Sequence, residues 1–207
     1  MDKYSNNSVE EIKSNIINMA SELFSTVGYH GTTVNMITDR IGIAKGAFYY
    51  HFKSKDDVLN AAAEQMVRKE AKILEDIVQS SVDPADKLAS ILKELANFWH
   101  EKESFVKYVD KRLITINHQL KELVMEYTVP SITTILSQGS ECGKMLKIEA
   151  ESTAKLILNN FIFVYETALF KDANEKNKLI LACYHMTEAA LGLENGTLSS
   201  KLMDKAD

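Results

Sequence analysis

Between residues 30 and 55 the chain gathers Arg40, Lys45, Lys53 and Lys55 against a single carboxylate, Asp39. His30, Tyr49, Tyr50 and His51 stand among them. Lysine and arginine neutralise phosphate, and phenol and imidazole tips add hydrogen bonds to it, so this is the chemistry of a small phosphate-binding face. The whole chain is acidic, with 24 Lys and Arg, 29 Asp and Glu and a net charge of −5, so any positive face is local. On composition alone, a small helical subdomain with solvated lysines fits the same residues equally well.

Catalytic constellations are missing from the sequence. There is no His-Glu-x-x-His, no Glu-x-x-His, no Gly-x-Gly-x-x-Gly, no phosphate loop and no Gly-x-Ser-x-Gly. Histidines 30, 51, 100, 118 and 185 are scattered along the chain. Cys142 and Cys183 form neither a Cys-x-x-Cys nor a disulfide framework. Gly139 and Gly143 match Gly-x-x-x-Gly, but among Ser140, Glu141 and Cys142 they read as a turn. The expectation is a protein that is not an enzyme and holds no cofactor or metal.

The elements that must position the basic stretch are helices. Only 8 Gly and 2 Pro occur in 207 residues, against usual shares of roughly 7% and 5%, so many short strands are excluded. With 45% apolar residues the chain can bury a full core. No stretch nears the roughly 18 apolar residues of a membrane span, and residues 1–7 lack the apolar run of a secretory signal. A cytoplasmic protein without a membrane partner is expected. Ser8-Val9-Glu10-Glu11 is a capping box ahead of Ile12, Ile16, Met19, Ala20, Leu23 and Phe24, and Gly28 ends that helix. Thr33 caps a second short helix that Gly42 stops, and residues 44–52 make a third. Ser54-Lys55-Asp56-Asp57 opens a long helix to about residue 80, and Asp83-Pro84 restarts the chain. Further helices are expected over 84–100, 102–119, 121–142, 149–171 and 175–193. Pro130 should kink the third of these or mark its start, and the polar tail from Glu194 should fray.

Two separated runs carry a resemblance. Gly28-Tyr29-His30-Gly31-Thr32-Thr33, followed by Ile43-Ala44-Lys45-Gly46-Ala47-Phe48-Tyr49-Tyr50-His51-Phe52-Lys53-Ser54-Lys55, closely resembles the DNA-binding domain of TetR (tetracycline-repressor-like) transcriptional regulators. The detailed likeness covers about residues 9–60. It implies an all-α chain: an N-terminal three-helix helix-turn-helix domain over 1–53, and a helical ligand-binding and dimerisation domain over 54–207 that begins with a connecting helix, 54–80. It also implies that helix 44–50 enters the major groove of double-stranded operator DNA. Lys45, Gly46 and Ala47 would then reach base edges or phosphate. Tyr49, Tyr50 and His51 would face the backbone, Thr33 would meet a phosphate, and Lys55 matches the family's phosphate-contacting lysine. Ile37, Ile41, Phe48 and Phe52 are expected in the small core. Many relatives carry hydroxyl residues where this chain has Ala44 and Ala47, so those contacts are missing here.

The resemblance further implies a dimeric, ligand-responsive repressor released from a palindromic operator by a small-molecule effector. The homodimer would form through the last two long helices, 149–171 and 175–193. Candidate interface residues are Ala154, Ile157, Leu158, Phe161, Val164, Tyr165 and Ala168 on one, and Leu179, Ala182, Cys183, Met186, Ala189, Ala190 and Leu193 on the other. Burial within one subunit is the competing reading. Trp99, His100, Phe105, Tyr108, Arg112, Met125, Tyr127, Phe161 and Tyr165 mix aromatic bodies with polar tips and could line an effector pocket. The alternative function is a helical ligand-binding or adaptor protein without specific DNA binding, and salt-dependent duplex binding separates the two.

Overall fold

Apolar residues three and four apart drive helix formation along the whole chain. The structure is a computed structural model that describes residues 9–107, 114–168 and 171–200, with side chains throughout except at 100–119, 168 and 173. Among the described residues it holds eight helices and no strand: α1 Val9–Thr26, α2 Val34–Ile41, α3 Lys45–His51, α4 Lys55–Gln79, α5 Pro84–Lys107, α6 Ile114–Glu141, α7 Ala150–Ala168 and α8 Ala173–Leu191. The all-α expectation holds. The capping box at Ser8 lies outside the described residues.

The chain divides into two compact units, residues 1–66 with 102–120, and residues 67–101 with 121–207, the boundary falling inside α4 between Met66 and Val67. In the first unit, Ile16, Ile17, Ala20, Leu23 and Phe24 form the buried stripe of α1. Ile37 of α2, Phe48 of α3, Phe52, and Val58, Leu59 and Ala62 of α4 close over it. The local punctuation is as expected. Thr33 is extended and its Oγ1 accepts from the Met36 amide at 3.2 Å, while Gly42 takes φ 72° at the other end of α2. The Asp57 carboxylate accepts from the Lys53 and Ser54 amides at 2.9 and 3.2 Å, and the Asp57 amide donates to Ser54 Oγ at 3.1 Å. This reciprocal box fixes where α4 begins.

In the second unit, Leu74, Leu88, Ile91, Leu92, Leu95, Ile132, Ile135, Leu136, Leu158 and Ile162 are buried. The Ala85 amide donates to Asp83 Oδ1 at 3.0 Å, which starts α5. Lys87 is buried, and its ammonium donates to the Val78 carbonyl at 2.8 Å and to Gln138 Oε1 at 3.1 Å. Asp172 caps α8, and Gly192 ends it at φ 67°.

Two expectations need correction. The helices expected over 84–100, 102–119 and 121–142 are two, because α5 runs through Glu101 to Lys107 and α6 runs through Leu120. Glu and Lys are good helix formers, so a polar stretch without Gly or Pro does not break a helix. Pro130 lies inside α6 with its ring exposed, and the helix continues to Glu141. The tail does not fray from Glu194 through Ser200. Leu198 is fully buried, and the Glu188 carboxylate accepts from the amides of Gly196, Leu198 and Ser199 at 3.0, 2.7 and 3.0 Å.

Candidate nucleic-acid interface

Helix α3 sorts its side chains cleanly. Phe48 is fully buried and Phe52 nearly so, and with Ile37 they fix the helix against α1 and α4. The opposite side presents Lys45, Gly46, Tyr49 and Tyr50, all exposed, with Ala47 and His51 half-buried. Tyr50 is 76% exposed, which a tyrosine without an apolar neighbour adopts only where its ring and hydroxyl face water or a partner. Tyr49 leans edge-on against Phe48 at 5.3 Å, and Tyr50 against His51 at 5.1 Å, so both phenols have anchored rings and outward tips. A Cβ built on Gly46 would meet nothing within 4 Å, so this position is open to a close-approaching surface. Ala44 stands at the N-cap of α3 with no side-chain hydrogen bond, as the missing hydroxyl requires.

Thr33 is exposed with its hydroxyl at the N-terminus of α2. Lys45 and Lys53 are exposed. Arg40 is committed sideways, with Nη1 3.2 Å from Glu22 Oε1 on α1. Lys55 is turned inward. Its ammonium donates to the carbonyls of Tyr29 and Thr32 at 2.6 and 2.7 Å and lies 4.0 Å from the Tyr29 ring centroid. Burial lowers its pKa from 10.5. Tyr29, Thr32 and Glu22 are the residues the sequence reading missed as partners. The Lys55 contacts span 26 and 23 residues, so no local spacing could have signalled them.

In the second unit, α7 and α8 share an open apolar groove of about 510 Å³. Leu156, Phe163, Met186, Leu179 and Ala190 are among its lining, and the first three are each about two-thirds exposed. The expected interface residues divide. Ala154, Ile157, Leu158 and Phe161 pack inward, whereas Ala182, Met186, Ala189 and Ala190 face outward. The helical stripe of α7 chosen from the sequence is therefore mostly its core face, and Leu156 and Phe163 make the outer one.

Of the nine pocket candidates, Trp99 and Phe161 are buried, and Met125, Tyr127 and Tyr165 are half-buried. Tyr127 lies 5.1 Å beneath the Arg68 guanidinium. Phe161 and Tyr165 stack at 4.5 Å. The side chains of His100, Phe105, Tyr108 and Arg112 lie outside the described residues. Trp99, Met125, Tyr127, Phe161 and Tyr165 are not among the residues that line the α7–α8 groove. Tyr184, which the sequence did not single out, is 1% exposed and packs edge-on to Phe161 at 6.2 Å. Its hydroxyl and Trp99 Nε1 are buried with no hydrogen-bond partner. Burial raises the Tyr165 and Tyr184 phenols well above their usual range and pushes the Cys183 thiol up to about 11, so all three are neutral donors at pH 7. Among the described residues, no group of three His, Cys, Asp or Glu could hold a metal ion, and no helix is long and apolar enough to cross a membrane.

Known proteins resemble this chain in the same places. Residues 16–62 match the family model for bacterial regulatory proteins of the tetR family. The uncharacterized HTH-type transcriptional regulator YerO of Bacillus subtilis is 29% identical over 126 residues, covering 58% of this chain and 43% of the relative. The HTH-type transcriptional repressor AcnR of Corynebacterium jeikeium is 26% identical over 159 residues, 76% of this chain and 81% of the relative. The match thus spans under half the length of the former and most of the latter. A TetR transcription regulator from Haloarcula marismortui has the same fold, with a TM-score of 0.70 at 18% identity, covering 88% of this chain and 99% of that one. Over residues 16–62 the helix-turn-helix unit matches the tetR family of bacterial regulatory proteins, and the chain as a whole shares the fold of the solved regulator.

Proposed function

We propose that the chain is a ligand-responsive transcriptional regulator, a dimeric repressor that binds palindromic operator DNA and is released by a small-molecule effector. One observation carries this reading: α3 buries Phe48, with Phe52 buried at its C-cap, and turns Lys45, Gly46, Tyr49 and Tyr50 outward. In this geometry Lys45 donates to guanine O6 or N7 or to a phosphate, Ala47 offers a methyl contact, and Tyr49, Tyr50, His51 and Thr33 hold the backbone. Residues 1–53 would bind DNA, and residues 54–207 would bind the effector and the second copy, with α4 connecting them. The relative AcnR is named a transcriptional repressor, which supports the direction of control.

A dimer suits the function, because two recognition helices must reach successive major grooves roughly 34–36 Å apart. The exposed Leu156, Phe163 and Met186 support α7 and α8 as its seam, since a patch of this kind is seldom left to water. The unpartnered Trp99 indole and Tyr184 hydroxyl support an effector with acceptor oxygens, which would satisfy buried donors that now have none. An effector releases DNA only by binding the DNA-incompetent state more tightly. The protein would act in the cytoplasm and catalyse no reaction.

The test is fluorescence-anisotropy binding to the intergenic duplex flanking the protein's own gene, at two salt concentrations, against a scrambled duplex. Specific binding that weakens with salt is expected. Binding no tighter than to the scrambled duplex, there and across a genomic selection, would favour the adaptor reading.

A further inference from the structure

The corner between α1 and α2 is held from three sides. The Thr32 amide donates to the carbonyls of Gly28 and Tyr29 at 3.1 and 3.3 Å, and the Thr32 hydroxyl donates to the Gly28 carbonyl at 2.8 Å. The Tyr29 ring is buried against Phe24 at 5.4 Å. The third side comes from the first residue of α4. Lys55 gives two of its three ammonium donors to the Tyr29 and Thr32 carbonyls and rests over the Tyr29 face. Charge-assisted bonds of this length are the strong kind, and a cation against an aromatic face adds to them. A phosphate contact would need the same ammonium to leave both carbonyls or to share itself three ways. Thr33, the cap of α2, follows directly after Thr32.

We propose that Lys55 is a positioning residue, whose ammonium clamps the α1–α2 corner to the start of α4 and so sets the pose of Thr33 and α2 for DNA, instead of neutralising a phosphate itself. The inference rests on the DNA-binding reading of the first unit. It makes the start of α4 and the N-terminus of α2 a single mechanical piece, so a shift of α4 that parts Lys55 from its carbonyls disorders the corner that holds α2.

Full-length wild type, Lys55→Met, Lys55→Arg and the outward control Lys45→Met would be compared on one operator duplex over a range of salt, at a temperature where all four are folded. The methionine keeps the stem and removes the donors. Lys55→Met is expected to weaken binding by about tenfold at every salt, the net worth of one charge-assisted hydrogen bond, with the salt slope unchanged. Lys45→Met should reduce the slope by about 0.9, the signature of one lost phosphate contact. Lys55→Arg should recover part of the affinity. In the free proteins, hydrogen exchange at the Thr32 and Ile37 amides should speed up in Lys55→Met while the α1 amides stay protected. A slope reduced by about 0.9 in Lys55→Met would overturn the proposal in favour of a phosphate contact. Lowered thermal stability with unchanged affinity would overturn it in favour of a purely structural role. Failure of the wild type to bind any duplex would defeat the DNA-binding reading, and the exchange rates would then judge the clamp alone.

Discussion

The Glu188 carboxylate anchors the tail, which makes a sharp prediction. Its two oxygens accept three backbone amides, from Gly196, Leu198 and Ser199, at 3.0, 2.7 and 3.0 Å. Hydrogen bonds to a charged acceptor are worth about 1.5–3 kcal/mol each, and a buried amide left without one costs about 1–3 kcal/mol. Glu188→Ala orphans the Leu198 and Ser199 amides, both in buried bonds. The loss is capped because the tail can let go and hydrate them, at the cost of exposing Leu198, about 2 kcal/mol for a fully buried leucine. The expected destabilisation is therefore about 2–4 kcal/mol, with the amides of 196–199 losing exchange protection first. The pH dependence has a defined sign. Burial alone would raise the carboxyl pKa, but the three amides outweigh it and hold it below 4.5. A group with a depressed folded pKa stabilises above its unfolded pKa and loses that stability as pH falls through the folded one. The wild type should lose this contribution as pH falls below the ordinary carboxyl value and through the lower folded one, and Glu188→Gln should lack that part of the acid limb. Urea unfolding at several pH values and amide exchange measure both. A Glu188→Ala protein as stable as wild type, with unprotected 196–199 amides in both, would refute the reasoning.

Other consequences are open to direct measurement. Ala44→Ser should raise stability by about 1 kcal/mol in thermal unfolding, because the extended N-cap of α3 lacks only the side-chain acceptor. Tyr49→Ala should weaken binding to every duplex by about three- to tenfold, the worth of one neutral hydrogen bond, without changing the preferred sequence. Phe163→Glu should elute as a monomer in light-scattering chromatography. Because that side chain is 64% exposed, its thermal midpoint at low concentration should change little, by less than about 0.5 kcal/mol. Gly139→Val should destabilise, since even a Cβ at this position would overlap the Sδ and Cγ of the buried Met145.

Legibility in the sequence followed distance along the chain. Thr33, Gly42, the Ser54–Asp57 box and Asp172 act within one helical turn, so the start of α4 and both ends of α2 could be read directly. The split of α3 into Phe48 and Phe52 inside and Tyr49 and Tyr50 outside was legible as a motif, because its residues are contiguous. Contacts across the fold were not. The contacts of Lys55 were hidden because its acceptors are backbone carbonyls, which every residue has and no side chain announces. The contacts of Glu188 were hidden for the same reason, since its partners are amides of a polar tail. On α7 the apolar residues surround most of the helix, so periodicity could not tell the core face of Leu158 and Phe161 from the open face of Leu156 and Phe163.

The inward turn of Lys55 and the lateral pairing of Arg40 bear on how such a protein would search a genome. Between residues 30 and 55, Lys45 and Lys53 are exposed cations beside the Glu22-paired Arg40, set on a chain of net charge −5. Non-operator DNA is held almost entirely by released counterions, so few outward cations mean short residence on random sequence. Sliding runs would be brief, and the search would proceed mostly by dissociation and re-encounter through solution. The acidic remainder would repel the duplex from every other approach and favour collisions that lead with α3. A reader built this way loses fewer copies to decoy sites, so a small cellular pool could keep its operator occupied.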